Sequence, residues 1–308
     1  MNYNLERFGL DFVKHRRQFF ILSSLMVIVG IILLLTRGLN LGIDFESGTR
    51  LEVMADHKIT EKQVESELAK LDLDPKEVTI SGDEQNLGVA RFVRVLTKQE
   101  IAQVKDHFSD SFGAEPNVST VSPTVGEELA RNAFIAVLIA SIGIIIYVTI
   151  RFEIFFALGA IIALLHDAFF IVAFFSLMQL EVDLTFIAAI LTIVGYSIND
   201  TIVTFDRIRE NMKLRKKVKT EEDLADLVNT SITETLSRSI NTVLTVVFTV
   251  VALLVFGGEA IRNFSLALLV GLIAGTYSSM FIAAQLWLVW KARQLKNKRF
   301  KSAPEAGV

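Results

Sequence analysis

The chain has 308 residues, 52% of them hydrophobic and 21% charged, with a formal net charge of −3 and no cysteine. Its apolar residues stand in long blocks, and 133–150 and 264–290 contain no charged residue. About 18 apolar residues are enough to cross a hydrocarbon core roughly 30 Å thick. A soluble enzyme and a disordered chain are thereby excluded, as are a disulfide framework and a thiolate metal site. The four histidines are scattered, without metal-ligand spacing.

In chain order, the first predicted element is a membrane helix over 19–35, preceded by Lys14, Arg16 and Arg17. Its apolar run exceeds the core of a signal peptide, and Leu34-Leu35-Thr36-Arg37 offers no small-residue cleavage site, so it reads as an uncleaved helix. An acidic block follows. Residues 38–130 hold 18 acidic and 9 basic residues, a net −9 against +6 for the remainder, an asymmetry that indicates two compartments. Within the block the pattern predicts a strand over 49–55 and a helix over 59–71. Thr60 and Gln63 form a capping box for that helix, with Val64, Leu68 and Leu71 on one face. Next come a strand over 77–81, a turn over 82–87, a strand over 90–96, a helix from the Thr97–Glu100 capping box to about Phe112, and a strand over 117–121. The order βαββαβ is the ferredoxin-like pattern, which by itself names no function. Glu127 and Glu128, adjacent on a helix, do not face each other and read as a solvated entry to the second span.

Five further spans are predicted over 133–150, 155–177, 184–203, 240–256 and 264–290. The expected fold is a polytopic α-helical membrane protein with six transmembrane helices and a ferredoxin-like α+β extracytoplasmic domain between helices 1 and 2. Residues 1–37 form a cytosolic tail and the first helix, 38–131 the outer domain, 132–290 helices 2–6, and 291–308 a basic cytosolic tail. Lysine and arginine mark the cytosolic side. They cluster at Arg7, Lys14, Arg16 and Arg17, at Arg207, Arg209, Lys213, Arg215, Lys216, Lys217 and Lys219, and at Lys291, Arg293, Lys296, Lys298 and Arg299. The opposite side offers Arg262. Both termini are therefore expected in the cytosol. No regular aromatic interleaving argues for nucleic-acid binding, so these runs read as topology signals.

Charged residues inside spans are expensive and are functional candidates by default. Asp167, Asp200 and Arg238 stand out, with His166 and Asn199 beside the two aspartates. Rise per residue puts Asp167 near mid-membrane and Asp200 in the cytosolic half, at the depth of Arg238 on the next, antiparallel helix. An Asp200–Arg238 ion pair is expected, which protonation of Asp200 would release. Gly271, Gly275 and Ser279 recur every fourth position and permit close helix packing. Thr276, Tyr277 and Ser278 add polar groups along the same helix. Ser237, Asn241, Thr242, Thr245 and Thr249 suggest that the fifth helix faces protein or water.

Several motifs are more specific. Gly42-Ile43-Asp44-Phe45 follows the first span, Leu165-His166-Asp167 lies in the third, and Gly195-Tyr196-Ser197-Ile198-Asn199-Asp200 lies in the fourth. Leu236-Ser237-Arg238-Ser239 opens the fifth, and Gly275-Thr276-Tyr277-Ser278-Ser279 lies in the sixth. Together, over residues 8–298, they resemble the SecF family of the SecDF translocation accessory complexes, within the resistance–nodulation–division superfamily. One departure is Glu46-Ser47-Gly48, where that family often has a glycine pair. The resemblance implies a non-enzymatic subunit of the bacterial cytoplasmic membrane, partnered by SecD. It would assist the SecYEG channel and the SecA motor in moving unfolded preprotein across the bilayer, driven by the proton motive force. It implies no cofactor beyond a transported ion, H⁺ or Na⁺, and roles in ion passage for Asp200 and Arg238, with weaker carry-over to Asp167. Other classes stay open: an intramembrane aspartyl protease built on Asp167 and Asp200, half of a small-molecule exporter, and a purely structural scaffold.

Overall fold

The computed structural model describes residues 11–302 except 83, 216, 217 and 219, without the side chains of 259 and 298–302. Arg7, Lys216, Lys217, Lys219, the side chains of Lys298 and Arg299, residues 303–308 of the basic tail and Asp83 of the expected turn lie outside the described residues.

Six helical segments are long and apolar enough to cross a membrane. They are α1 (Arg16–Thr36), α5 (Pro123–Arg151), α6 (Ile154–Met178), α7 (Leu184–Leu214), α8 (Glu221–Phe256) and a last segment over Arg262–Asn297. The last consists of α9 (Arg262–Ser278), a π turn (Ser279–Ala283) and the first part of α10 (Ala284–Ser302). The chain is a multi-pass membrane protein. Several helices outrun the predicted spans because an apolar block marks the stretch suited to hydrocarbon, not the length of the helix. α8 starts at the capping box of Thr220 and Asp223, with three acidic residues in its first turn where the helix dipole favours them. The added turns pack Leu224, Leu227 and Val228 inward. They meet α7 where Asn211 Nδ2 donates to Ser231 Oγ (2.9 Å) and Glu234 Oε2 (2.7 Å). α5 begins with proline in its first turn, where the missing N–H costs nothing.

Between α1 and α5 lies a four-stranded sheet. It comprises β2 (Gly48–Met54), β3 (Glu77–Ser81), β4 (Leu87–Phe92) and β5 (Asn117–Val121), with α3 (Glu61–Ala69) and α4 (Lys98–Phe112) in the connections. The strand order is β3-β4-β2-β5, every neighbour antiparallel. Leu51 and Val53 of β2 bury against Val64 and Leu68 of α3 and Val104 and Phe108 of α4. Both expected capping boxes form. β4 departs from the expected 90–96. It is buried continuously from Gly88 to Phe92, which erases the two-residue alternation, and it ends at Phe92; beyond it, Thr49 Oγ1 accepts the Leu96 N–H (2.9 Å) just ahead of α4.

Three short elements escaped the sequence reading: β1 (Asn40–Leu41), α2 (Ile43–Glu46) and β6 (Glu181–Val182), between α6 and α7. β1 and β6 pair in parallel and stitch the start of the sheet region to the α6–α7 turn. Asp44 Oδ2 accepts the Leu184 N–H (3.0 Å), so the Gly-Ile-Asp-Phe motif helps cap α7. Immediately after α2, Ser47 has φ 62° and ψ 164°, a region that is essentially glycine territory and costs of order 1–3 kcal/mol elsewhere. Gly48 follows at φ 137°, and a Cβ there would sit 2.1 Å from Phe92 O, so only glycine is accommodated. Ser47→Gly is expected to stabilise the protein by about 1–2 kcal/mol, read as a raised thermal midpoint in detergent. An unchanged or lowered midpoint would show that Ser47 is not strained.

Glu181 links the two regions. It lies 3.2 Å from Arg50 Nη1 and 3.6 Å from Arg91 Nη1 of the sheet, and its carbonyl accepts from Asn263 Nδ2 at the start of α9 (3.0 Å). Arg91 also donates to Asn40 Oδ1 (2.5 Å). Burial pushes the Glu181 carboxyl above its ordinary value, with the two arginines pulling the other way and Asp183 and Glu77 adding to the rise. A raised carboxyl favours the protonated, docked state, so this contribution is complete below the ordinary glutamate range and is lost as pH climbs through the raised value. Amide exchange of β1 and β6 is therefore expected to speed up in wild type relative to Glu181→Gln as pH rises through that window. A ratio that stays constant with pH would contradict this.

Candidate intramembrane carboxylate site

Asp167 sits on the face of α6 that also carries the buried Ala160, Ala163, Leu164 and Ile171, a spacing that points into the bundle. It is 1% exposed. Its Oδ2 accepts from Ser197 Oγ of α7 (2.6 Å) and from Ser278 Oγ of α9 (2.7 Å), and His166 Nδ1 lies 3.2 Å from its Oδ1. One carboxylate thus takes hydroxyl donors from two neighbouring membrane helices, α7 and α9. The glycine stripe makes the approach possible. A Cβ at Gly275 would sit 3.1 Å from Ser197 Cβ and 3.6 Å from Asp167 Oδ2, and one at Gly271 would sit 2.5 Å from Ile193 Cγ1. Ser279 shares a 2.8 Å hydrogen bond with Thr201 Oγ1. The π turn opens directly after Ser278, so two successive serines bond to two different helices, Ser278 to α6 and Ser279 to α7.

Asp200 lies one turn beyond Ser197 on α7. Its Oδ1 accepts from Ser239 Oγ of α8 (2.5 Å), while Oδ2 is buried without a hydrogen-bond partner among the described residues. The expected ion pair with Arg238 is not formed: no ion pair or hydrogen bond joins the two side chains among the described residues. Neighbours on a helix point about 100° apart. Ser239 takes the buried face of α8 and leaves Arg238 exposed, with its charge acting on Asp200 only through space. Asn199 is likewise exposed and does not join the site. No hydrogen bond joins the two aspartates among the described residues: Ser197 and Ser278 hold Asp167 and Ser239 holds Asp200, so the proteolytic dyad is not assembled. Asp167 is level with Ser197, about 5 Å along the helix axis from Asp200, a smaller depth gap than span lengths suggested.

His166 presents a buried Nε2 without partner among the described residues, and its ring lies 6.1 Å from that of Tyr277. Tyr277 Oη donates to Phe19 O (3.0 Å), which ties α1 to the bundle. The α8 hydroxyls behave differently from expectation. Thr242, Thr245 and Thr249 donate back to carbonyls of their own helix and are exposed, so they satisfy themselves without lining a path. Sequence reasoning missed Ser197 and Ser239 because a lone serine in an apolar run carries no periodic signal. Their position inside the motifs around Asp200 and Arg238 was the available clue.

The fold and site define a multi-pass membrane protein whose polar centre is carboxylate and hydroxyl, held between helices. Residues 101–293 match the family model described as "Protein export membrane protein SecD/SecF, C-terminal", and residues 32–59 match that of the "SecD/SecF GG Motif". The chain belongs to the SecD/SecF family. It is 64% identical over 287 residues to protein translocase subunit SecDF of Bacillus subtilis, covering 93% of this chain but 39% of that protein. It is 44% identical over 301 residues to protein translocase subunit SecF of Alicyclobacillus acidocaldarius, covering 96% of this chain and 97% of that one. The crystal structure of SecDF from Thermus thermophilus superposes with a TM-score of 0.83 at 35% identity, over 92% of this chain and 38% of that one. A super-membrane-facing form of SecDF gives 0.70 at 32% identity, over 95% and 40%.

Gly271→Val is expected to cost about 1–3 kcal/mol by overpacking α9 against Ile193 and Ile171. Gly143→Val, where a Cβ would meet nothing within 4 Å, serves as the control and leaves the midpoint in place. Equal behaviour of the two variants in thermal unfolding would refute the close packing.

Proposed function

We propose that this chain is a SecF-type subunit that assists preprotein translocation across the bacterial cytoplasmic membrane, working with SecD beside the SecYEG channel and SecA. Ion movement through the intramembrane carboxylates drives the work, with H⁺ as the coupling ion and Na⁺ the alternative. The single observation that carries the reading is Asp200. It is a carboxylate inside a membrane bundle with one oxygen held by Ser239 and the other without a hydrogen-bond partner among the described residues, near an arginine that is not locked to it. A charge retained at such cost marks a site that loads and unloads an ion. Membership of the SecD/SecF family supports the export role.

The sheet region reads as a ferredoxin-like domain outside the cytoplasm, since its strand order and two crossover helices follow that pattern. Both termini and the basic α7–α8 connection then lie in the cytosol by the positive-inside rule. Movement of this domain against the channel would transmit the ion-driven change to the preprotein.

Asp200→Asn, reconstituted with its partners, is expected to lower gradient-stimulated export by about tenfold or more, the rate equivalent of ~1.4 kcal/mol, while the chain still inserts. Arg238→Lys retains more stimulation than Arg238→Ala. Normal stimulation in Asp200→Asn would overturn ion coupling at this site and leave a scaffold.

A further inference from the structure

Of the four histidines, His166 is the one inside a membrane-spanning helix. Its side chain is 8% exposed. Its Nδ1 lies 3.2 Å from Asp167 Oδ1, while its Nε2 is buried without a hydrogen-bond partner among the described residues. Which ring nitrogen carries the hydrogen is set by the bond the other nitrogen makes. A carboxylate facing Nδ1 assigns the hydrogen to Nδ1 and leaves a bare lone pair on Nε2.

The contacts of Asp167 fix where a further proton goes. Its Oδ2 already accepts from Ser197 Oγ and from Ser278 Oγ (2.7 Å), whose other acceptor, Gly275 O, is farther at 3.2 Å. A hydrogen on Oδ2 would run into the two already pointing at it. A hydrogen on Oδ1 turns Nδ1 into the acceptor and sends the ring's own hydrogen to Nε2. Either way, an added proton that leaves these contacts in place puts a hydrogen on Nε2. The titratable groups facing the ring are Asp167 of its own helix and Tyr277 of α9. α7 and α9 face the carboxylate with hydroxyls, and α1 brings the Ser23 hydroxyl and the Phe19 carbonyl to Tyr277 Oη.

We infer that His166 Nε2 is a proton-loading atom of the membrane region, with Asp167 as its fixed counter-charge. The inference rests on the ion-coupled reading above. In loading, the Nε2 lone pair takes a proton that enters from water on the proton-rich side. One N–H bond forms, one O–H bond of the aqueous donor breaks, and the ring becomes an imidazolium. A lone buried carboxylate thereby becomes half of a neutral ion pair, the form that a membrane interior tolerates better. Release reverses the step. Asp167 stays ionised throughout, as its donors require. The charged ring also has Tyr277 beside it, centroid to centroid 6.1 Å, at the edge of cation–π attraction, which reaches roughly 6 Å. The new N–H finds no acceptor among the described residues, which keeps the loaded state from becoming a trap. An imidazole nitrogen binds a proton far better than Na⁺, so this site selects H⁺.

The test uses the full chain, ¹⁵N-labelled at histidine, with unlabelled partner subunits in proteoliposomes. Solid-state ¹⁵N spectra separate the two neutral tautomers from the imidazolium, and the His166 signals are those missing from His166→Asn. In wild type they are expected to show the neutral ring with its hydrogen on Nδ1 in alkaline medium and the imidazolium after acidification. In Asp167→Asn the ring is expected to stay neutral through the same acidification. His166→Asn keeps an amide donor for Asp167 but takes up no proton, and it is expected to lower gradient-stimulated export by about tenfold or more, the rate equivalent of ~1.4 kcal/mol. A neutral ring with its hydrogen on Nε2, or a ring that stays neutral in acidified wild type, overturns the assignment. Normal stimulation in a folded His166→Asn, with stimulation lost in Asp200→Asn, overturns loading at His166 and leaves the Asp200 site intact. Normal stimulation in Asp200→Asn as well overturns the reading on which the inference rests. Should the His166 or Asp167 variant fail to fold, the wild-type spectra decide alone, since the tautomer and its response to acid need no variant beyond the assignment, for which selective labelling of the single His-Asp pair serves instead.

Discussion

A carboxylate cannot be left inside a hydrocarbon-spanning bundle without donors, and that requirement at Asp167 organises the rest of the membrane region. Satisfying it brings Ser197 of α7 and Ser278 of α9 to the same oxygen of an α6 residue. Helices approach that closely only where the facing residues are small. Gly271 and Gly275 on α9 provide that, and the π turn after Ser278 lets Ser279 reach Thr201 as well. Hydrogen bonding and close packing are two aspects of one arrangement. The site is built on three rigid helices, the condition for holding donors in fixed geometry.

Asp200 stands one turn away under a looser constraint. Ser239 fixes one oxygen, and Arg238 lies on the open side of α8. The contrast between a fully satisfied carboxylate and a half-satisfied one places the changeable element at the second. At the other end of α6 and α7, Glu181 joins the sheet region to the same helices through Arg50 and Arg91. A shift among α6, α7 and α9 therefore has a direct mechanical route to the sheet, through β1, β6 and the cap that Asp44 places on α7.

Much of this was legible in the sequence. Long apolar blocks located all six spans, and the Thr-x-x-Gln and Thr-x-x-Glu boxes located α3 and α4, because both signals are local. Strands β3 and β5 matched their expected bounds, whereas β4 slid because burial on both faces removes the alternation on which the expectation relied. Asp167, Asp200 and Arg238 were visible as charges in apolar surroundings. Their partners were not, since depth along an axis says nothing about rotation around it. That is why Arg238 was matched to Asp200 when Ser239 holds it, and why Asn199 was placed in a site it faces away from. β1, β6 and Glu181 were beyond reach because a two-residue parallel pairing depends on residues 141 positions apart, Asn40 with Glu181 and Leu41 with Val182.

The central claim is that these carboxylates carry the ion whose movement does the work. The most direct measurement is proton flux itself, followed with a pH-sensitive dye enclosed in proteoliposomes containing the reconstituted translocation machinery, during export of one preprotein. The account predicts a flux that accompanies export in wild type and disappears in Asp200→Asn although the protein remains inserted and folded. A flux of wild-type size in Asp200→Asn would contradict it.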